Sequence, residues 1–75
     1  MRKNDFNVTR FAQKHGVSRQ VVYDSLRGNG SRRIRVNLAI MLNKDIEEMY
    51  DYQDDKRKRA LDIMEYQEVK GALNG

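Results

Sequence analysis

The sequence of 75 residues contains no cysteine, and His15 is its only histidine. A disulfide framework and a zinc site built from cysteine and histidine are therefore excluded as sources of stability. A chain of this length buries only about 60% of the surface that its unfolded form exposes. We therefore expect a monomer of marginal stability, for which oligomerisation is the usual remedy. The lack of cysteine also suits a reducing cytoplasm, where we expect the protein to be located.

Long hydrophobic runs are also lacking, since the longest covers only residues 38–42. Such a run is too short for a signal-peptide core or a membrane span, so we expect no membrane association. No nucleophile, base and orienting group form a recognisable set. Gly28, Gly30 and Ser31 lack the preceding strand and the Gly-Lys-Ser/Thr ending of a phosphate-binding loop. These absences predict a protein that is not an enzyme and binds neither a cofactor nor a metal.

Charge is divided unevenly along the chain. Residues 1–44 hold ten Lys or Arg against two acidic residues, a net charge of +8, whereas residues 45–75 hold five against nine, a net charge of −4. An ordinary solvated surface of mixed charge would account for the overall +4. The concentration of positive charge in one half instead favours binding to a polyanion, and nucleic acid above all.

Two helices with clear start and stop signals are predicted in the N-terminal half. Asn7 can cap a first helix that ends at Gly16, with Phe6 placed to pack on Phe11. Ser18 can cap a second helix over residues 19–27, which Gly28 stops.

The segment that follows residues 29–31 is ambiguous. Ile34, Val36 and Leu38 alternate as in a strand, which would make a wing hairpin. The apolar residues also fit a helical face, and Ser31 can cap it, so we favour a third helix over about residues 32–42. Ile34, Leu38, Met41 and Leu42 would form that face.

Residues beyond 44 are predicted to add one or two further helices. Residues 45–48 have the Asp-x-x-Glu pattern of a capped helix start, so Asp45 can cap a further helix. Residues 51–59 are either an exposed helix, with Asp54 paired to Lys58 and Asp55 to Arg59, or a hinge. A last helix carries an uneven apolar stripe that must pack on the first half of the chain or on a partner chain. We assign to this stripe Ala60, Leu61, Met64, Val69, Ala72 and Leu73, with Ile63 and Tyr66 to one side.

The spacing of small and apolar residues over positions 11–26 has a mechanical reason. Ala12 is small where the second helix crosses it, and Gly16 makes the turn. Val17, Val22 and Leu26 form the seam between the two helices. This pattern resembles the helix-turn-helix of phage repressors and Cro-like proteins, and residues 26–28 and 39–42 resemble small Ner-like phage regulators. The resemblance covers about residues 7–50.

The sequence departs from that family at several points. Only about six residues precede the first motif helix, so the family's leading helix is missing and the C-terminal helix would fill its place. His15 stands where an aliphatic residue is usual, and Val8 or Thr9 where glutamine is frequent. The expected fold is all-α, with a helix-turn-helix three-helix core followed by one or two helices that pack on it or form a dimer interface. Residues 1–50 would be the DNA-binding region and residues 51–75 a charged connector and helix of the same compact unit.

The resemblance implies that the second helix enters the major groove of double-stranded DNA. Arg19 suits guanine and Gln20 suits adenine. Asp24 would be repelled by phosphate and is left out of the site, while Arg2 and Lys3 form either a loose arm or a frayed terminus. The residues expected to read bases are Ser18, Arg19, Gln20 and Tyr23, and those expected to contact the sugar-phosphate backbone are Thr9, Arg27, Arg32, Arg33 and Arg35. Arg33 could instead pair with acidic residues of the C-terminal half.

The function implied is that of a sequence-specific transcription regulator, a repressor of phage or mobile-element origin. A homodimer would place two recognition helices about 34 Å apart on a near-palindromic operator. Two other functions remain open. The chain could bind a protein partner through its acidic C-terminal half, as an antirepressor or inhibitor, or it could bend DNA as an architectural or recombination accessory protein.

Overall fold

Five helices make up the part of the chain that the computed structural model describes, which is residues 6–74 without the side chain of Asn74. They are α1 (Val8–His15), α2 (Arg19–Leu26), α3 (Arg32–Met41), α4 (Ile46–Met49) and α5 (Lys56–Asn74). The predicted all-α class is confirmed, and residues 6–74 contain no strand. None of these helices is both long and apolar enough to cross a membrane.

The starts of the first three helices are set by local capping, as predicted. Asn7 Oδ1 accepts a hydrogen bond from the backbone N–H of Arg10 at 3.1 Å. Ser18 Oγ and Ser31 Oγ accept from the backbone N–H groups three residues later, each at 3.3 Å. Such bonds satisfy donors that a helix start leaves free, so these boundaries depend on sequence close by. Gly16, with φ of 69°, adopts the left-handed conformation that ends α1.

Helix α3 lies at the centre and is buried on two sides. One side joins α1 and α2 in a first cluster, made of Phe11, Ala12, Val22, Ile34 and Leu38. The other side joins α4 and α5 in a second cluster, made of Val36, Ala39, Ile46, Tyr50 and Tyr52. Because both faces of α3 are buried, its apolar residues alternate in a way that resembles a strand. The predicted helical face was partly wrong, since Met41 is 47% exposed and Val36 and Ala39 form a second buried face.

The segment between α4 and α5 is short and irregular. Residues 51–55 form no helix, and α5 begins at Lys56 with Asp55 Oδ1 accepting from the backbone N–H of Lys58 at 3.0 Å. The predicted pairs of Asp54 with Lys58 and Asp55 with Arg59 are absent from residues 6–74. Lys58 and Arg59 instead reach distant partners, the carbonyl of Gly28 and the carboxylate of Glu47.

The face with which α5 packs differs from the predicted stripe. Ile63, Tyr66 and Val69 pack against the second cluster, and Asp62 is completely buried at the centre of this face. Met64 and Leu73, which were assigned to the stripe, are 59% and 68% exposed. The prediction was partly wrong. Val69 does pack, and the helix does dock on the first half of the chain, but the predicted stripe counted only apolar residues, whereas a buried aspartate lies at the centre of the packed face.

Asp62 is held by three side chains. Arg35 donates to it through Nε at 2.9 Å and through a terminal nitrogen at 2.9 Å, and Arg32 Nε donates at 3.2 Å. The hydroxyl of Tyr52 donates at 2.8 Å. Burial acts to raise the pKa of Asp62, but the hydrogen bonds from Arg35 and Tyr52 and the nearby positive charge outweigh it and hold that pKa below its ordinary value.

Candidate nucleic-acid interface

Helix α2 buries one side and exposes the other. Val22 and Ser25 are fully buried, while Arg19, Gln20 and Tyr23 are exposed. Residues at positions 19, 23 and 27 follow each other at intervals of four and therefore share one helix face. Arg19 has no acidic partner within residues 6–74, and the Arg27 side chain is 71% exposed. This face offers cationic, amide and phenolic groups to an external ligand.

Asp24 organises two neighbours on the exposed face. Its Oδ1 accepts a hydrogen bond from Gln20 Nε2 at 3.0 Å and lies 3.6 Å from a terminal nitrogen of Arg27. Holding the Gln20 amide in place lowers the entropy that an ordered contact would cost. The sequence prediction left Asp24 out because of its charge. Its spacing of four from Gln20 and three from Arg27 was the signal that could have identified it.

The two predicted hydroxyl residues lie at helix starts. Ser18 is exposed but its Oγ caps α2 by accepting from Val21 N–H. Thr9 is exposed in the first turn of α1. Ser18 thus sets where α2 begins, and its backbone and hydroxyl lie at the end of the helix that carries Arg19 and Gln20.

The three arginines at the start of α3 have different surroundings. Arg35 is only 4% exposed, and it donates to Asp62 and to the carbonyls of Asn29 and Gly30, both at 3.1 Å. Its assignment to backbone contacts was wrong, because a guanidinium committed to internal acceptors cannot reach a surface ligand. Arg32 is half-exposed and pairs partly with Asp62. Arg33 is exposed and donates to the carbonyl of His15 at 3.3 Å, so no acidic residue of the described chain binds it.

The loop that follows α2 is clamped from both sides. Lys58 Nζ of α5 donates to the Gly28 carbonyl at 2.6 Å, and Arg35 binds the next two carbonyls. Gly30, with φ of +70°, passes so close to Ser25 that a Cβ at position 30 would clash with its Oγ. The orientation of α2 at its C-terminal end therefore depends on α3 and α5. Sequence reasoning missed Lys58, whose partner lies 30 residues away.

Further cations lie on α1, outside the predicted set. Arg10 and Lys14 are exposed and border a groove of about 340 Å³ with Phe6, Phe11 and Met41. His15 stacks on Phe11 with ring centroids 4.3 Å apart, and burial, Arg33 and Lys14 lower its pKa. These surroundings disfavour the protonated imidazole. Arg2 and Lys3, the predicted arm or frayed terminus, lie outside the described residues.

Comparisons with protein-family models, with curated protein sequences and with solved structures give no match to this chain. The candidate interface is defined by the chain's own residues: the exposed side of α2, the cap at Ser18, and the exposed cations of α1 and of the start of α3.

Proposed function

We propose that the protein is a sequence-specific regulator of transcription that binds double-stranded DNA, with α1 and α2 acting as a helix-turn-helix. In this proposal α2 enters the major groove. Arg19 and Gln20 contact base edges, Tyr23 contacts a thymine methyl group or a phosphate, and Arg27 and Arg33 contact the sugar-phosphate backbone. The resemblance of residues 7–50 to phage repressors leads us to propose repression as the activity.

The observation that carries the proposal is the two-sided character of α2. On one side, Val22 and Ser25 are fully buried. The other side exposes four polar or charged residues, Arg19, Gln20, Tyr23 and Arg27. A helix that is fixed on one side and bears bidentate hydrogen-bonding groups on the other is suited to reading base edges. The internal bond from Gln20 to Asp24 leaves the Gln20 carbonyl oxygen and one amide hydrogen for such a contact.

Charge supports a nucleic acid as the ligand. Within residues 6–41, which hold α1 to α3, the only acidic residue is Asp24, whereas six cations are exposed or half-exposed: Arg10, Lys14, Arg19, Arg27, Arg32 and Arg33. If about six phosphates are contacted, the logarithm of affinity falls against the logarithm of salt concentration with a slope of about −5. The negative charge of the C-terminal half lies mostly on α4, α5 and the segment between them.

We also propose that two copies bind one operator, since helix-turn-helix proteins commonly read half-sites one helical turn apart. The apolar face of α5 does not supply the interface, because it packs within its own chain. Met64 and Leu73 remain exposed, but nine residues are about two and a half turns, so they point to opposite sides of α5. Sedimentation of the protein with and without operator DNA tests this stoichiometry, and a strict monomer on a single half-site contradicts it.

The test of the main proposal is selection of a duplex from a random-sequence library by the wild-type protein, followed by gel shift. We expect Arg19→Ala and Gln20→Ala each to lower the preference for the selected duplex over a scrambled one by about 5- to 150-fold. Gln67→Ala, an exposed glutamine on α5, is the matched control and should leave the preference unchanged. Failure of the wild-type protein to select any duplex at low salt would overturn the proposal.

A further inference from the structure

A basic cleft lies between the N-terminal ends of α3 and α5, and the residues that α5 contributes to it are outside the predicted DNA-contacting set. Its volume is about 470 Å³, and it is lined by Arg32, Arg35, Asp55, Arg57, Lys58 and Leu61. Four of these six residues are cations, and they come from two helices that are far apart in sequence. The fold, not a local run of basic residues, therefore assembles the cleft.

Positive charge in the cleft is only partly neutralised. Asp62 binds Arg35 and one nitrogen of Arg32, and Asp55 caps α5. Four cations against these two carboxylates leave two positive charges. Arg57 is exposed and has no acidic partner within residues 6–74, and the terminal nitrogens of Arg32 have no acceptor there. Arg32 and Arg57 are therefore the residues that can bind an external anion.

Helix α5 also carries cations at its N-terminal end, where a helix tolerates them poorly. Its first turn contains Lys56, Arg57, Lys58 and Arg59 and no acidic residue. The N-terminal end of a helix carries a partial positive charge, so four cations there repel both the helix dipole and one another. Lys58 and Arg59 have internal partners that offset this repulsion, but Arg57 has none in the described chain. An anion facing Arg57 would supply the missing compensation.

The cleft adjoins the end of α2. Lys58, which lines the cleft, donates to the carbonyl of Gly28, one residue after Arg27. Arg35, at the floor, binds the next two carbonyls of the same loop. A polyanion lying on the exposed face of α2 therefore meets Arg27 and then the cleft as it continues past the C-terminal end of that helix.

We propose that this cleft binds a phosphate of the DNA backbone, with Arg57 and Arg32 as the ligands, beyond the base pairs that α2 contacts. The inference rests on the proposed DNA-binding function and adds a second contact region, contributed by α5. Arginine forms paired hydrogen bonds to phosphate oxygens, and such contacts add affinity without sequence choice. The C-terminal helix then both holds the loop after α2 and contacts DNA.

The experiment compares Arg57→Ala with Lys44→Ala on the selected duplex over a range of salt concentrations. Lys44 is an exposed cation past the opposite end of α3, about 15 Å away along that helix, so both variants lose the same net charge. We expect Arg57→Ala to reduce the steepness of the salt dependence by about 0.9 and to weaken binding by roughly three- to tenfold. The ratio of selected to scrambled duplex should not change, and Lys44→Ala should behave as wild type.

A second arm locates the phosphate. Duplexes with single methylphosphonate substitutions remove one charge at a time. At one position near the edge of the site, the substitution should weaken binding by the wild-type protein but not weaken binding by Arg57→Ala any further.

Thermal unfolding without DNA should show Arg57→Ala to be slightly more stable than wild type, because a repelled cation is removed.

Identical salt dependence for wild type, Arg57→Ala and Lys44→Ala would overturn the cleft proposal while leaving the proposed function intact. Perturbation of the cleft by inorganic phosphate in NMR titration, together with an unchanged duplex salt dependence, would also overturn it, since the cleft would then be a site for a free anion. If wild-type protein binds no duplex, both proposals fall together.

Discussion

The two halves of the fold share α3 but are held to it by different interactions. On the side of α1 and α2, apolar residues such as Phe11, Val22 and Leu38 fill the cluster. The polar bonds there are mostly local caps, apart from the bond of Arg33 to the His15 carbonyl. On the side of α4 and α5, a buried carboxylate is bound by Arg35 and Tyr52 within a second apolar cluster. We therefore expect the first half to tolerate changes in surface charge and the second to depend on one ionised group.

This difference matters for function because the second half reaches the first through the loop after α2. Lys58 binds the Gly28 carbonyl, and Arg35, held by Asp62, binds the carbonyls of Asn29 and Gly30. The half without the proposed base-reading residues thus fixes one end of the helix that carries them. Breaking the buried network should affect both stability and the position of α2.

The largest effect is expected from Asp62→Ala. The substitution leaves Arg35 buried without its anion, which typically costs about 3 to 5 kcal/mol, a large part of the stability of a small domain. Urea unfolding followed by circular dichroism measures this loss. Glu68→Ala, at an exposed acidic residue of the same helix, is the control and should change stability by no more than about 0.5 kcal/mol. A loss below 1 kcal/mol for Asp62→Ala would show that the network is not what docks α5.

Acid should weaken the same half without any substitution. The folded pKa of Asp62 lies below its unfolded value, so its contribution to stability is fully present above the unfolded pKa of about 3.9 and is lost as the pH falls through the folded pKa. We expect the free energy of unfolding, measured between pH 6 and pH 2, to decrease once the pH is lower than about 4. In Asp62→Asn this part of the pH dependence should disappear, and a fall as steep as in wild type would contradict the assignment.

Two tyrosines on the α5 side give a sharper comparison. Tyr52 donates to Asp62, whereas the buried hydroxyl of Tyr50 has no hydrogen-bond partner in the described chain. Removing the Tyr52 hydroxyl should cost about 1.5 to 3 kcal/mol, because its acceptor is charged. Tyr50→Phe should be neutral or stabilising, since it removes an unsatisfied group. Burial raises the pKa of Tyr50 to about 12, consistent with a phenol that stays neutral. Urea unfolding measures both variants. Equal losses of stability in the two would contradict the different roles of the two hydroxyl groups.

A glycine at the junction between the halves, compared with one near the end of α5, gives a smaller expected effect. Gly30→Ala should cost about 1 to 3 kcal/mol, because φ is +70° and the new Cβ would meet Ser25. Gly71 lies within the last turns of α5, and a Cβ there would meet no other atom. Gly71→Ala should therefore stabilise the protein by about 0.5 to 1 kcal/mol. Thermal unfolding of the two variants should therefore shift in opposite directions, and a harmless Gly30→Ala would mean that the loop after α2 can relax.

Much of the N-terminal half could be predicted from local sequence. The caps at Asn7, Ser18 and Ser31 and the left-handed turn at Gly16 involve partners no more than five residues away, so the pattern of residues already contains them. The exposed side of α2 follows from the period of the helix. The sequence alone therefore places Arg19, Gln20 and Tyr23 on a common exposed face.

The assignments that failed depended on distant partners. The sequence predicts Arg35 to be a surface cation because nothing near it in sequence is acidic, but its partner Asp62 is 27 residues away. The packed face of α5 differs from the predicted stripe for the same reason, since Asp62 is buried only because Arg35, distant in sequence, binds it. The local pattern does not identify Val36 and Ala39 as a buried face, because only the packing of α4 and α5 makes the second side of α3 an interior surface.

The sequence by itself thus determined where the helices of the first half begin and end, and which side of α2 remains exposed, because capping and helical periodicity act over a few residues. Only the tertiary structure decided which cations stay free. A charged side chain is buried when a distant opposite charge and enough hydrogen bonds repay its desolvation, and that partnership is set by how α5 docks on α3.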